Sequence, residues 1–350
     1  MELVKESIKN LKEYKTNNNE FKIKLDANEG KNILLQDIYK EGIKFNEDFN
    51  LNFYPDNDAY LLKQEIKKYL NINISNIIAG NGSSEMIELV IKSFVDKGET
   101  ILSPIPTFSM YSVFSQIYSA QFIGIQSNED FRVDIDKLIE KSNELNPKVI
   151  FICNPNNPTG NLIIKNDIKK LLENTNGLVV VDEAYMEFAD GSMVDEISNY
   201  ENLIVLRTLS KALGLAGIRL GYMISNQKII NIINKVKSPY NLNSISQYIG
   251  VKALENKDEI FEYIEAVKKE REFLYKELNE MKIKVYKSYA NFIFFKTDIK
   301  NLYEKFIDYG ILIRKFSDEL EGYYRVSVGN KNENRMFIKI LKEIIENEKS

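Results

Sequence analysis

One lysine, Lys211, has the neighbours for covalent chemistry. It stands in Arg207-Thr-Leu-Ser210-Lys211-Ala-Leu-Gly-Leu-Ala-Gly-Ile-Arg219, after the apolar run Leu203-Ile-Val-Leu206. An amine just past a buried strand, beside a hydroxyl and eight residues before an arginine, suits Schiff-base formation with a carbonyl cofactor. Ser210 and Arg219 can hold a phosphate on that cofactor, the arginine through a charged fork. Taken alone, a lysine in a glycine-containing loop reads more readily as a solvated surface group. The choice depends on what the fold brings to it.

Other residues offer complementary chemistry. Asp182 ends the apolar run Leu178-Val-Val-Val181. A carboxylate at that depth is costly unless paired, so it calls for a cation, and a protonated pyridine nitrogen would serve. Asn157 lies in Asn154-Pro-Asn-Asn157-Pro-Thr-Gly160, where two prolines hold the loop and let an amide be aimed. Tyr185 follows Asp182 in Asp-Glu-Ala-Tyr. The segment Ile77-Ile-Ala-Gly80-Asn-Gly82-Ser83-Ser84-Glu85 reads as a strand end, a glycine turn and a helix start. Free N–H groups there suit an anion, although such turns also serve as plain connectors. Phe108 is either core or a flat platform for an aromatic ring, and Asn28 reads first as a turn former.

The elements that must position these groups follow from periodicity. Strands alternate with helices from residue 77 to 224, which implies a parallel, doubly wound α/β sheet. Ligands in such sheets sit at the carboxyl ends of strands, where Asn157, Asp182, Tyr185 and Lys211 all fall. Residues 219–224 read as a further strand of this set. After a long helix over about 257–281, the pattern becomes mixed: strands 283–287, 290–296, 311–315 and 323–328, helices 300–309 and 331–347. This is a smaller α+β domain, with Arg314 and Arg325 in its strands. The expected division is an N-terminal segment over 1–40 joining the small domain, a large cofactor-binding domain over 41–250 and the small domain over 251–350.

Composition removes several classes. There is no histidine, which excludes histidine triads and most zinc sites. The single cysteine, Cys153, allows no disulfide framework and suits a reducing cytoplasm. No metal site is expected. A net charge of −4 disfavours nucleic acid and anionic membranes as partners, and no apolar run is long enough to span a bilayer. The first residues are too charged for a signal peptide. Only seven arginines stand among 47 basic residues, and four of them (207, 219, 314 and 325) lie in the stretches above. In a lysine-rich chain, an arginine points to planar anion binding.

With these motifs in order, the sequence resembles the fold-type I pyridoxal-phosphate aminotransferases of class II, and within them the histidinol-phosphate aminotransferases. The resemblance runs from about Tyr14 to Val328 and rests on Asn-Pro-Asn-Asn-Pro-Thr-Gly, Asp-Glu-Ala-Tyr, and Ser-Lys with its arginine, in that order. It implies a mostly parallel central sheet with helices on both faces plus a smaller α+β domain. It implies pyridoxal 5′-phosphate as cofactor, held by Lys211 as a Schiff base. Lys211 would also move the substrate proton, Asp182 would pair the pyridine nitrogen, and Tyr185 and Asn157 would hydrogen-bond the ring oxygen. Phe108 would stack on the ring. Ser83, Ser84, Ser210 and Arg219 would bind its phosphate, with Tyr54 reaching the phosphate of a second subunit in a homodimer. Tyr14, Asn28, Arg314 and Arg325 would bind substrate. The implied reaction takes L-histidinol phosphate and 2-oxoglutarate to imidazole-acetol phosphate and L-glutamate, in cytoplasmic histidine biosynthesis. The alternatives are an aromatic or broad-range aminotransferase, a threonine-phosphate decarboxylase, or a non-catalytic binding module on the same fold. Two positions depart from the family pattern: Gly30-Lys31-Asn32 where a proline commonly follows Asn-Glu, and Ser84 where an acidic residue is common.

Overall fold

The computed structural model describes residues 3–13, 19–31 and 49–349, so Tyr14 lies outside the described residues. Aliphatic runs build the centre. Strands β2 (Ile77–Asn81), β3 (Thr100–Ile105), β4 (Gln121–Gln126), β5 (Val149–Cys153), β6 (Leu178–Asp182), β7 (Leu203–Thr208) and β8 (Leu220–Ser225) form one sheet in the order β2-β8-β7-β6-β5-β3-β4. Every residue of β5, β7 and β8 is buried. Both faces are therefore covered, as expected for a sheet read from near-continuous apolar runs.

Side-chain alternation shows which helices cover each face. Ile150 and Ile152 of β5 join one core with Leu62 and Ile66 of the helix Tyr60–Leu70 and Ile168 and Leu171 of the helix Lys165–Glu173. Their neighbours Val149 and Phe151 join a second core with Met86 and Val90 of the helix Gly82–Phe94 and Ile233 of the helix Gln227–Asn234. The doubly wound expectation holds with one correction. Strand β8 runs antiparallel to both β7 and β2. The connection from β7 carries only a 3-10 turn, Ala216–Ile218, and a parallel crossover needs a longer segment, commonly a full helix. This reversal matters, because it brings the start of β8, and Arg219 just before it, to the edge where the other strands end.

The chain then runs through the helices Ser244–Glu255 and Lys257–Glu280 into a four-stranded antiparallel sheet. Its strands are β9 (Lys284–Tyr286), β10 (Phe292–Lys296), β12 (Arg314–Lys315) and β13 (Tyr323–Ser327), ordered β12-β13-β10-β9. The single strand expected over 311–315 divides in two. Its first part, β11 (Ile311–Leu312), pairs in parallel with β1 (Ile23–Lys24) near the N-terminus. Its second part, β12, pairs with β13 and sets Arg314 directly opposite Arg325.

Candidate active site

A cavity of about 680 Å³ opens at the carboxyl ends of the sheet strands. It is lined by every described residue given a cofactor or substrate role by the resemblance except Tyr54: Asn28, Ser83, Ser84, Phe108, Asn157, Asp182, Tyr185, Ser210, Lys211, Arg219, Arg314 and Arg325. They come from the last residue of β6, from the segments that follow β1, β2, β3, β5, β6 and β7, from the turn just before β8, and from two neighbouring strands of the small sheet. The 80% exposed Tyr54 instead stacks on Tyr240, ring centres 4.6 Å apart.

One end of the cavity is an anion cup. Gly82 opens the helix Gly82–Phe94 at φ 72°, a backbone region that glycine adopts without strain. A side chain there would lie 2.8 Å from the Arg219 guanidinium, so the missing Cβ lets that cation reach the helix N-terminus. Glu85 turns back to accept from the Asn81 N–H and amide. That leaves the N–H groups of the next residues for an outside anion. Ser210 closes the cup; its hydroxyl accepts from the Thr208 hydroxyl at 3.0 Å.

The floor carries Asp182, 2% exposed. Burial raises its carboxyl to about 6, against the Tyr111 hydroxyl bond and the Ala184 N–H, which favour the charged form. The next acid faces away: Glu183 pairs with Arg207, which also binds Glu187 at 2.7 Å. Arg207 thus binds anions as arginine scarcity suggested, but its anions belong to the core.

Lys211 sits half-buried across the cavity, its Nζ donating to the Ala27 carbonyl at 3.0 Å. Burial lowers its amine from 10.5 to about 7, and Arg325 and Arg219 add to the lowering. The amine is therefore substantially neutral near pH 7, as a nucleophile or base must be.

The segment 26–30 touches each polar group in turn. Arg325 donates through Nη2 to the Asp26 carbonyl at 2.7 Å and through Nη1 to Asn157 Oδ1 at 2.6 Å. A guanidinium has only donors, so the Asn157 oxygen is committed and its NH₂ remains a donor for the cavity. Asn28, 1% exposed, donates from Nδ2 to the Tyr185 hydroxyl oxygen at 3.1 Å. That leaves the Tyr185 proton to be given elsewhere. The Asn28 backbone is pinned by Ser327 and Asn291 of the small sheet region.

Gly30 has a physical reason. A Cβ there would fall 1.9 Å from the Lys211 carbonyl oxygen, a backbone atom that cannot swing aside. Gly30→Ala should therefore lift the 26–30 segment, at roughly 1–3 kcal/mol of stability, typical of overpacking. A lower melting temperature together with a raised KM for the amino donor is expected. A variant matching the parent in both would show that the segment does not close this way.

Two features escaped the sequence reading. Tyr111, which donates to Asp182 Oδ2 at 2.8 Å, lies in the first turn of the helix Met110–Ile117 and carries no motif that marks it. The facing of Arg314 and Arg325 needed strand register, which no local pattern supplied.

The model of the family described as aminotransferase class I and II matches residues 20–341. A histidinol-phosphate aminotransferase of Caldanaerobacter subterraneus is 43% identical over 347 residues, covering 98% of this chain and 99% of its own. The crystal structure of the histidinol-phosphate aminotransferase from Clostridium acetobutylicum superposes with a TM-score of 0.83 at 28% identity, covering 93% of this chain and 99% of that one. That of Sinorhizobium meliloti, in complex with pyridoxal-5′-phosphate, gives 0.85 at 21% identity over 93% of this chain and 91% of that one. With residues 20–341 matched by the family model and 98% of its length aligned to such an enzyme, this chain belongs to the class I and II aminotransferases.

Proposed function

We propose that this enzyme transfers the amino group of L-histidinol phosphate to 2-oxoglutarate, with Lys211, Asp182 and Tyr185 as its catalytic residues. Its cofactor is pyridoxal 5′-phosphate, which supplies a conjugated electron sink for the charge that develops at the donor's Cα. The residues present fit that group. The Gly82–Arg219 cup, with Ser83, Ser84 and Ser210, would take the phosphate; Asp182 would pair with the ring nitrogen and Phe108 would cover the ring. Lys211 would hold the cofactor, and its amine, lowered to about 7 by burial, would be the base that takes the donor's Cα proton and returns it. Asn157 and Tyr185 would each offer a proton to the ring oxygen, because the Asn157 oxygen accepts from Arg325 and the Tyr185 oxygen accepts from Asn28.

The observation that carries the substrate is the facing of Arg314 and Arg325. Like charges directly opposite on antiparallel strands destabilise a sheet, so such a pair over a cavity favours an anionic ligand. One guanidinium meets the carboxylate of the oxo acid and the other the phosphate of the amino donor. A panel of histidinol phosphate, histidinol, Phe, Tyr and threonine phosphate, each with 2-oxoglutarate, tests this. Histidinol phosphate should lead. Turnover of Phe with none of histidinol phosphate would give the aromatic reading instead, and loss of carbon dioxide from threonine phosphate the decarboxylase one. Arg314→Ala should raise KM for histidinol phosphate by about tenfold or more, the scale of a charged hydrogen bond, and leave phosphate-free donors unchanged. An equal rise for both donors would remove phosphate recognition from Arg314.

The enzyme is proposed to work in the cytoplasm as a homodimer with shared sites. Tyr54 is directed to the phosphate of a second copy, which agrees with its exposure and its place outside this chain's cavity. Leu51, Phe53 and Leu61, each at least 66% exposed, give that region an apolar surface to cover. The division into 41–250 and 251–350, with 1–40 joining the latter, is part of the same proposal, and the β1–β11 pairing agrees with it.

A further inference from the structure

Tyr111 lies under the cavity floor, fully buried, on the helix Met110–Ile117. Its hydroxyl donates to Asp182 Oδ2 at 2.8 Å, while Asp182 Oδ1 accepts from the Ala184 N–H at 3.2 Å. Each carboxylate oxygen thus has one fixed donor, and the carboxylate lines the cavity with lone pairs still free. The Tyr111 ring cannot turn aside. It stacks on Phe151 with centres 4.6 Å apart and planes 5° from parallel, and Phe108 meets it edge-on at 5.7 Å. Cys153 is the other polar neighbour, and its thiol is directed to the Pro155 carbonyl at 3.6 Å.

We propose that Tyr111 is a positioning residue that aims the Asp182 carboxylate at the ring nitrogen of the cofactor and keeps it ionised, while buttressing Phe108 beneath the ring. This rests on the reading of Asp182 given above. The phenol suits the task because it stays a donor: burial and the neighbouring carboxylate push its ionisation well above the usual tyrosine range. The hydroxyl bond is also the leading influence favouring the charged Asp182 carboxyl against burial. Hydrogen bonds to an ionised acceptor are roughly twice as strong as neutral ones, so one phenol has leverage here.

Tyr111→Phe keeps the ring and its stacking and removes only the hydroxyl. In the holoenzyme, kcat should fall with the donor KM unchanged. Pyridoxal phosphate should bind about tenfold more weakly, the scale of one lost hydrogen bond to a charged group. The pH at which the bound cofactor's visible band titrates should move upward, because a ring nitrogen held less firmly in its protonated form withdraws less charge from the imine. The melting temperature of the cofactor-free protein serves as the control for folding. Asp182→Asn should change the same three readouts more strongly, and Tyr111→Phe should add little in its presence. If Asp182→Asn shifts them while Tyr111→Phe leaves all three at parental values, the positioning role is overturned. If the two substitutions act additively, Tyr111 does not work through Asp182 and the proposal also falls. If Asp182→Asn itself shifts nothing, it is the assignment of Asp182 that fails.

Discussion

Replacing Lys211 by alanine should abolish both turnover and the visible absorbance of the bound cofactor. No other described amine is placed to substitute. Lys24, the other lysine of the cavity, is bound to Asp26 and Glu29, and those bonds raise its affinity for the proton. Proton transfer by a placed side chain contributes about 10² to 10⁴ in rate, and Lys211 also anchors the cofactor, so a loss of at least about 10⁴ is expected. Retention of both signals would refute the assignment. The same amine sets a pH dependence whose sign follows from its surroundings. Burial, Arg325 and Arg219 disfavour its charged form, moving it from 10.5 to about 7. Above that pH the amine is neutral and can attack; below it, the proton blocks attack. Capture of pyridoxal phosphate by cofactor-free protein should therefore slow as pH falls through about 7. A capture rate level across that range would mean that the amine is not held in this environment.

The next largest effect is expected from Asp182→Asn. Asparagine keeps the shape and the Ala184 contact but carries no charge to meet a cationic ring nitrogen. Removing one partner of a buried ion pair costs about 3–5 kcal/mol. If that is expressed in the transition state, kcat falls by about two to four orders of magnitude. In the cofactor-free protein the substitution should be benign or stabilising near neutral pH. There the carboxyl is raised to about 6, above the ordinary 3.8, so its burial opposes folding once pH rises past the ordinary value, and most fully above about 6. A melting scan at pH 7 compares the two proteins directly. A kcat within a few-fold of the parent would show that Asp182 meets no charge, and the ring orientation proposed here would be wrong.

Both results bear on how the site is supported. Three successive residues, Asp26, Ala27 and Asn28, contact Arg325, Lys211 and Tyr185 respectively. Their placement depends on β1 pairing with β11 and on the absence of a side chain at Gly30. The departure at Gly30 from the common family pattern therefore has a packing reason in this chain. The departure at Ser84 leaves a half-buried hydroxyl on the cavity wall.

Local order was enough to reveal the strand ends and the residues that follow them. Buried parallel strands are continuous apolar runs, and the polar residue that stops such a run marks the strand's end, as Asp182 does. The same order placed the helix beginning at Gly82 and the loop around Asn157, because glycine and proline act on their own backbone. What needed the tertiary structure is everything set by pairing between distant segments. The reversal of β8 brings Arg219 to Gly82, the register of β12 on β13 sets Arg314 opposite Arg325, and the side-by-side packing of β3 and β5 brings the helix after β3 near enough for Tyr111 to reach Asp182. Sequence periodicity specifies which face of an element is buried but not which partner it meets. That choice is made by the packing of the whole core, and it supplied the second arginine, the support for the carboxylate and the close contact at Gly30.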